Sequence, residues 1–258
     1  MKLLACGDFH SGHFAGLTPP EYQDRIHKKV RPLAKECWRW FSDSVAACGK
    51  FDALLVNGDL IEGSGSKSGG SELWASSRLE QKDAATAIIK HLGIKTVIIT
   101  YGTAYHVGDG AEDFEHQVKD DLEAARYNVR ISAHAFFEIG GVKFSAKHHC
   151  GSSSVPHGRF TAIARETLWN QLWAEHGRQP SVDVTLRSHV HYYKFAGDAD
   201  RIAMTLPALQ AAETKFGTRR CSGLVDFGFV VFDCAKGKYS WQAHLLKPAA
   251  EKARLWHI

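Results

Sequence analysis

Short apolar runs that alternate with longer amphipathic stretches are the feature that most constrains the fold of this 258-residue chain. Residues 3–6, 53–56 and 96–100 are apolar runs of strand length, and a glycine follows each of them closely. Between these runs, residues 22–47 and 77–91 repeat apolar side chains at steps of three and four, which predicts helices. Strand, helix, strand, helix, strand predicts right-handed crossovers and a parallel sheet.

The second half of the chain is predicted to be richer in strands than the first. Helices are expected over residues 112–126 and 161–176, and the second is expected to bury Ile163, Leu168, Leu172 and Trp173. Trp38, Trp169 and Trp173 are interpreted as core residues. Strands are predicted over residues 136–148 (a hairpin around Gly140-Gly141), 182–186, 202–206, 224–233 and 239–246. No repeat or linker divides the sequence, so residues 1–258 are interpreted as one domain.

Composition indicates an ordinary globular protein, with 44% apolar and 23% charged residues. A net charge of +4 suits an anionic substrate but is too small to indicate a nucleic-acid-binding protein by itself. The six cysteines form no CxxC pair, which favours free thiols in a reducing compartment. Without an apolar run of about eighteen residues, no membrane partner is expected, and the predicted location is the cytoplasm.

Aspartate and histidine recur at the ends of the apolar runs. Taken singly, a Gly-Asp pair is most often a turn and a lone histidine is most often a core or surface residue. Five such segments, each at the end of an apolar run, are difficult to explain by chance. Carboxylates that bridge and imidazoles that cap are the ligands that a pair of divalent cations prefers. The five segments are Asp8-Phe9-His10, Gly58-Asp59, Gly102-Thr103-Ala104-Tyr105-His106, His148-His149 and Ser188-His189-Val190-His191.

Local geometry supports shared ligation. If the first strand continues through Asp8 and His10, alternation places both side chains on one face. The same alternation would apply to His189 and His191. Asp59 has two carboxylate oxygens and could therefore bridge two cations about 3.5 to 4 Å apart.

The glycine- and serine-rich stretch over residues 62–71 follows Asp59 directly and is predicted to be a loop. In open α/β sheets, ligands bind outside the carboxyl ends of the strands, where this loop would lie. It is interpreted either as a mobile lid or as an ordinary surface loop.

The order of these segments resembles the calcineurin-like metallophosphoesterase superfamily, and the spellings around His106, His148 and His189 are most similar to small phage and prophage members. The resemblance extends from Asp8 to His191. It implies an α/β fold, a metallophosphoesterase-type sandwich of two mixed sheets flanked by helices. A centre of two divalent cations at the sheet ends is implied as well.

The resemblance also implies a ligand set. One cation would be held by Asp8, His10, Asp59 and His191, and the other by Asp59, His148 and His189. Manganese is the expected metal, although iron and zinc also accept mixed nitrogen and oxygen ligands. His106 would stabilise or protonate the leaving oxygen, and Asp109 would orient its ring.

The sequence departs from the family pattern where Gly-Asn-His is expected, because Thr103 stands in place of the asparagine and the histidine is displaced. Thr103 is expected to supply a weaker oxygen ligand or to bind phosphate. Ser188 replaces the usual glycine, which is a minor change if its backbone is not at positive φ. His148 is preferred over its neighbour His149 as the ligand.

Two further residues, His157 and Arg159, lie downstream of His148 and could contact a phosphate group. The predicted function is a phosphodiesterase acting on a nucleotide or nucleic-acid end, by attack of a hydroxide that bridges the metals. The alternatives are a metal-binding regulatory protein with little activity, or a phosphomonoesterase or nuclease of the same superfamily. The oligomeric state is left open.

Overall fold

The computed structural model describes residues 1–107, 113–153, 155–211 and 225–246. Its helices are α1 (Arg31–Ala47), α2 (Arg78–Leu92), α3 (Ala104–Val107), α4 (Phe114–Ala124) and α5 (Gly158–Glu175), with 3-10 turns at Pro20–Arg25 and Ser66–Ser68. Its strands are β1 (Lys2–Cys6), β2 (Ala53–Asn57), β3 (Thr96–Thr100), β4 (Asn128–Ser132), β5 (Ala135–Ile139), β6 (Val142–Ala146), β7 (Val184–Arg187), β8 (Lys194–Gly197), β9 (Ile202–Thr205), β10 (Phe227–Ala235) and β11 (Lys238–Leu246).

These strands form two mixed sheets. The first has six strands in the order β11-β10-β1-β2-β3-β4, with β1 to β4 parallel and β10 and β11 joined by antiparallel pairing. The second has five strands in the order β5-β6-β7-β9-β8, with a parallel centre and an antiparallel strand at each edge. The predicted fold class, α/β with two mixed sheets flanked by helices, is confirmed.

Strands β1, β2 and β3 of the first sheet are buried on both faces, as parallel strands usually are. In β1, Leu3 belongs to the core between the two sheets, while Leu4 belongs to the core under helices α1, α2 and α4. The inter-sheet core is centred on aromatic side chains. The Phe144 and Phe232 rings pack edge to face, with 5.3 Å between their centroids.

The ends of the first two helices have local causes. The predicted helix over residues 22–47 is wrong before Arg31, because Pro32 has no N–H for the hydrogen bond that would extend the helix towards its N-terminus, so it is tolerated only in the first turn. The second helix is confirmed. Ser77 caps its N-terminus by accepting a hydrogen bond from the Glu80 N–H, and Gly93 ends it in the left-handed conformation with φ 67°.

Helix α5 buries a different side from the one predicted. Ile163 is buried as expected, but Leu168 is 64% exposed, and Trp169 and Trp173 are 52% and 42% exposed. Leu172 is likewise exposed. The helix has apolar side chains on both faces, so periodicity alone could not identify the inner one.

Several elements were not predicted from the sequence: β4, β8 and the short helix α3. The hairpin of β5 and β6 and the strands β7, β9, β10 and β11 lie within a few residues of their predicted positions. The predicted boundaries at Glu112 and Leu224 fall outside the described residues.

The single-domain interpretation stays a prediction. The cysteines that the structure describes are all free thiols, and no helix in the described ranges could span a bilayer.

The inter-sheet core should be more sensitive to truncation than the outer face of α5. Phe144→Ala removes a fully buried ring and should lower the free energy of unfolding by about 3 to 5 kcal/mol. Leu168→Ala is the control, because its side chain is mostly exposed, and it should change stability by less than about 0.5 kcal/mol. Urea unfolding of both variants provides the comparison. A large loss for Leu168→Ala would contradict the exposed position of that side chain.

Candidate metal centre

The predicted ligand segments meet at the carboxyl ends of β1, β2, β6 and β7, in loops rather than in strands. Asp8 and His10 have φ values of 52° and 45°, and His189 and His191 have φ values of 73° and 54°. The prediction that strand alternation aligns each pair is therefore wrong, because β1 ends at Cys6 and β7 ends at Arg187. Left-handed backbone conformations turn these side chains towards one another instead.

Backbone hydrogen bonds hold the loops in register. The Asp8 N–H donates to the Gly58 carbonyl at 2.9 Å, and the His10 N–H donates to the Asp59 carbonyl at 3.0 Å. In the second sheet, the Ser188 N–H donates to the His148 carbonyl at 2.8 Å. Each loop that carries a predicted ligand is thus tied to the loop of the neighbouring strand.

The first donor cluster consists of Asp8, His10 and His191, with donor atoms within 4.8 Å of one another. Asp8 Oδ1 lies 3.3 Å from His191 Nε2 and 3.8 Å from His10 Nε2. The two Nε2 atoms are 3.2 Å apart. Ligands about 2.1 Å from a common ion lie about 3 to 3.5 Å from each other, so this spacing suits one cation.

The second donor cluster consists of Asp59, His148 and His189, again within 4.8 Å. His148 Nε2 lies 3.0 Å from Asp59 Oδ2. Gly58, with φ 79°, permits this approach, since a Cβ there would lie 2.4 Å from His148 Nδ1. Burial and the neighbouring His148 charge lower the pKa of His189 to about 4, which keeps its ring neutral.

Asp59 lies between the two clusters. Its Oδ2 atom, 3.0 Å from His148 Nε2, is also 4.0 Å from His10 Nε2. The clusters also approach each other directly, because Asp8 Oδ1 is 4.0 Å from His148 Nε2. This is the arrangement that a carboxylate shared by two neighbouring cations requires.

Hydrogen bonds to the imidazole rings determine which ring nitrogen is available to bind a cation. His148 Nδ1 lies 2.8 Å from the Asn57 carbonyl oxygen, which can only accept a hydrogen bond. Nδ1 therefore carries the proton, and the lone pair of Nε2 is available to bind a cation. His10 Nδ1 is likewise held by the Glu62 carboxylate at 2.8 Å. Two buried atoms in the clusters, Asp8 Oδ1 and His148 Nε2, make no well-aligned hydrogen bond, although polar atoms lie 3.3 Å and 3.0 Å from them. Divalent cations fit these residues, because a cation would satisfy both atoms.

The carboxylates and imidazoles strongly perturb each other. Burial disfavours charge on His10, but Asp8 and Glu62 outweigh it and raise its pKa to about 10. Burial also disfavours charge on His148, but Asp59 outweighs it and raises the pKa to about 9. Without a cation these imidazoles therefore keep a second proton, and cation binding must release it.

Glu62 is a site residue that the sequence analysis missed, because it begins the stretch interpreted as a loop. Its carboxylate accepts from His10 Nδ1, and its backbone carbonyl accepts from His106 Nδ1 at 2.8 Å. Burial favours its neutral form, but His10 outweighs this and lowers the Glu62 pKa. The segment is anchored by Gln81, whose side chain hydrogen-bonds both the N–H and the carbonyl of Gly63. An acidic residue three positions after Asp59 was the available signal.

Thr103 lies beside Asp59. Its N–H donates to Asp59 Oδ1 at 2.7 Å, and its hydroxyl lies 3.2 Å from the same oxygen. The preceding Gly102 is needed here, because a Cβ would lie 2.2 Å from Asp59 Oδ1. The Gly102 N–H donates to the buried Glu115 carboxyl at 2.9 Å. Burial raises the Glu115 pKa to about 8, despite the opposing Gly102 hydrogen bond.

The other residues singled out in the sequence lie outside the two donor clusters or outside the described residues. His149 is exposed and stays outside both clusters, with its ring 5.1 Å from that of His189. Ser188 is not at positive φ, and its hydroxyl accepts from the Asn57 amide at 2.8 Å. His157 is the exposed residue before α5. Asp109 lies outside the described residues.

Arg159 lies in the first turn of α5, and its guanidinium stacks 4.5 Å from the centroid of the Tyr192 ring. Tyr192 directly follows His191 of the first donor cluster in the chain. The structure brings together seven of the predicted residues: Asp8, His10, Asp59, His106, His148, His189 and His191. The contact of Arg159 is with Tyr192.

No protein-family model and no curated protein matches this sequence. Among solved structures, the chain is similar to an archaeal phosphodiesterase at 14% identity, with 95% of this chain and 100% of that chain covered and a TM-score of 0.49. It is also similar to Zn²⁺-complexed Vps29 from Entamoeba histolytica (14% identity, 97% and 95% covered, TM-score 0.49). A third is the phosphoesterase YfcE from E. coli (12% identity, 94% and 99% covered, TM-score 0.43). At TM-scores below 0.5, function has to be inferred from the geometry of the site itself.

Removing the charge of Glu62 should weaken cation binding. Glu62→Gln keeps the shape of the side chain but no longer fixes His10 as a metal ligand, and such outer partners contribute about 10- to 100-fold to metal affinity. Titration calorimetry with Mn²⁺ measures the change. Glu138→Gln, at an exposed position of β5, is the matched control and should leave affinity unchanged. Equal affinities for wild type and Glu62→Gln would rule out this orienting role.

Proposed function

We propose that this chain is a metal-dependent phosphoesterase of the calcineurin-like superfamily that uses two divalent cations. The observation that carries the proposal is the pair of adjacent donor clusters, with Asp59 of the second cluster reaching to 4.0 Å from His10 of the first. Asp8, His10, Asp59 and His191 would hold one cation, and Asp59, His148 and His189 would hold the other. The similarity to phage members stays a prediction from the sequence.

When bound, the cations would supply Lewis acidity towards the phosphate oxygens and lower the pKa of a coordinated water. The chain's own groups have separate tasks. Thr103 fixes the orientation of Asp59 through its N–H, and Glu62 fixes His10. Manganese is the proposed metal, and iron or zinc would also suit this mixture of imidazole and carboxylate donors.

His106 is proposed to act on the leaving oxygen. Its Nδ1 donates to the Glu62 carbonyl, so its Nε2 is free and lies 4.0 Å from Asp59 Oδ2. Burial and the charge of His10 lower the His106 pKa, so the ring is neutral in the metal-free site. To protonate the leaving oxygen, Nε2 would first have to take up a proton, such as the one released by the attacking water. His106 also forms a third group of donors with His10 and Glu62. A role in ligation therefore competes with a role in proton transfer.

The proposed substrate is a phosphodiester of a nucleotide or a nucleic-acid end. The net charge of +4 supports an anionic substrate of this kind. Thr103, His157 and Arg159 are the proposed phosphate contacts. A screen of the metal-analysed protein against bis(p-nitrophenyl) phosphate and p-nitrophenyl phosphate with added Mn²⁺ tests the function. No turnover of either compound with Mn²⁺, Fe²⁺ or Zn²⁺ would refute it.

Asp59→Asn should abolish most turnover while leaving the fold intact. The amide cannot bridge two cations as a carboxylate does, so we expect activity on bis(p-nitrophenyl) phosphate to fall by roughly 100-fold or more. Metal analysis should show fewer than two bound ions. Asp43→Asn, at an exposed position of α1, is the matched control. Near-normal turnover of Asp59→Asn with two bound ions would show that the ligand assignment is wrong.

His106→Ala separates the two roles of that residue. Proton transfer by a positioned side chain typically contributes about 10²- to 10⁴-fold, so turnover should fall by that amount while metal content is unchanged. Parallel loss of metal and turnover would instead identify His106 as a ligand. His149→Ala is a suitable control, because its exposed ring belongs to neither donor cluster.

A metal-binding regulatory protein is the second candidate. One observation favours this candidate. Thr103 stands where the family pattern has an asparagine, and its hydroxyl lies 3.2 Å from Asp59 Oδ1. The second cluster therefore has only three strong donors. About one tightly bound ion per chain with no hydrolysis would support this candidate, and two ions with hydrolysis would support the enzyme.

A further inference from the structure

The outward side of helix α5 exposes four large apolar side chains to solvent. Each of them is between 42% and 64% exposed, and their spacing of one, four and five residues places them on one face of the helix. The two indole rings stack, with 6.5 Å between their centroids and 22° between their planes. The four residues, which we call the α5 face, are Leu168, Trp169, Leu172 and Trp173.

The inward side of α5 also buries polar groups, which surface helices usually direct to solvent. Asn170 is buried, and its amide donates to the Pro180 carbonyl at 3.0 Å while its oxygen accepts from the Val182 N–H at 3.2 Å. The Glu166 carboxylate accepts from Nε of the buried Arg187 at 2.7 Å. These contacts fix the helix with its leucines and tryptophans directed outward, so the exposed apolar face is built into the fold.

The α5 face has the size that a small protein–protein interface requires. The exposed fractions of its four side chains together equal about two whole side chains, or on the order of 400 Å² at about 200 Å² each. The smallest stable interfaces bury about 1,200 Å² in total, or about 600 Å² per partner, and those of homodimers are about 65% apolar. The α5 face therefore provides roughly the apolar area that one partner of such a dimer contributes. Tryptophan is also prominent among the residues that dominate binding energy.

The charges beside the α5 face favour a second copy of this chain as the partner. Arg165 and Glu175 are exposed on α5, on either side of the face along the helix. If two copies pack these helices antiparallel around a two-fold axis near residue 170, Arg165 of each copy lies level with Glu175 of the other. A helix that binds a lipid surface is instead rich in lysine and arginine beside its apolar side. Helix α5 has no such excess, because it contains two arginines and two glutamates.

We propose that the α5 face is the contact surface of a homodimer, in which the α5 helices of two copies pack antiparallel across a two-fold axis. Each copy supplies the same surface, and such two-fold contacts are the commonest in protein oligomers. Leu168 and Leu172 lie four residues apart, as in the ridges that interdigitate between packed helices. The small area makes the dimer reversible, with a dissociation constant of about micromolar magnitude. This inference is independent of the proposed function.

Sedimentation velocity of the full chain tests the dimer over concentrations from well below to well above about 1 µM. The wild-type mass should rise from 28.6 kDa to twice that value. Leu168→Glu places a charge in the contact and should weaken dimerisation by about 30-fold or more. Leu79→Glu is the matched control, because Leu79 is a 57% exposed leucine of α2, and it should dimerise as wild type does. Circular dichroism verifies that both variants fold.

Two results of this measurement would overturn the dimer. One is a wild-type mass of 28.6 kDa at every concentration, which would leave the α5 face to a different partner. The other is equal dimerisation of Leu168→Glu and wild type, which would place the contact elsewhere on the chain.

Charge reversal tests the antiparallel arrangement. Arg165→Glu and Glu175→Arg should each weaken dimerisation several-fold, because each change brings like charges together twice in a two-fold dimer. The protein with both changes should regain the wild-type dissociation constant. If the two weakening effects add instead, the antiparallel arrangement is wrong.

The dimer also makes the cost of truncating Leu168 depend on protein concentration. Well below the dissociation constant the chain is monomeric, and the small effect of Leu168→Ala on urea unfolding applies to this range. Well above it, association stabilises wild type more than Leu168→Ala, so their unfolding midpoints should separate. A difference between the midpoints that stays the same at all protein concentrations would contradict the dimer.

Discussion

The site depends on backbone that most residues avoid. Among the described residues other than glycine, seven have positive φ, and five of them belong to the two donor clusters, whose sixth member, His148, does not. Each left-handed residue of this kind costs about 1 to 2 kcal/mol, and such conformations persist only where the surrounding structure determines them. Here the determining contacts are the hydrogen bonds that join each loop to the next. Strain of this kind clusters at functional sites, so it supports the hypothesis that the two donor clusters bind a ligand.

The buried charges of the two donor clusters also favour cation binding. Asp8 and Asp59 are buried carboxylates, and His10 and His148 are buried imidazoles that point free nitrogens at them. In the absence of a cation, the imidazoles must take up protons to balance the carboxylates, as their raised pKa values indicate. Two divalent cations would replace those protons with stronger partners. The metal-free cluster is therefore a set of mutually dependent charges, and removing one member leaves another uncompensated.

The sequence predicted which side chains converge but little of their local geometry. Apolar runs located β1, β2 and β3, and the residues after them converged as expected because parallel strands end at one edge. The backbone of Asp8 and His10 was not predictable, since the choice between extended and left-handed conformations depends on contacts with the loop around Asp59. Helix α5 was oriented wrongly because both of its faces are apolar. Glu62 was missed because its partners, His10 and His106, are distant in sequence.

The two sheets contribute different ligands, so their packing sets the spacing of the centre. Asp8 and Asp59 follow strands of the first sheet, whereas His148 and His189 follow strands of the second. Asn57 joins the sheets directly, because its amide donates to the Ser188 hydroxyl and its backbone carbonyl accepts from His148. The inter-sheet core beneath it, around Phe144 and Phe232, fixes the separation of the sheets. A sheet displacement of about 1 Å would consequently alter the distances between donors of different sheets, such as that from Asp59 to His148, so cation binding at this site would depend on core packing.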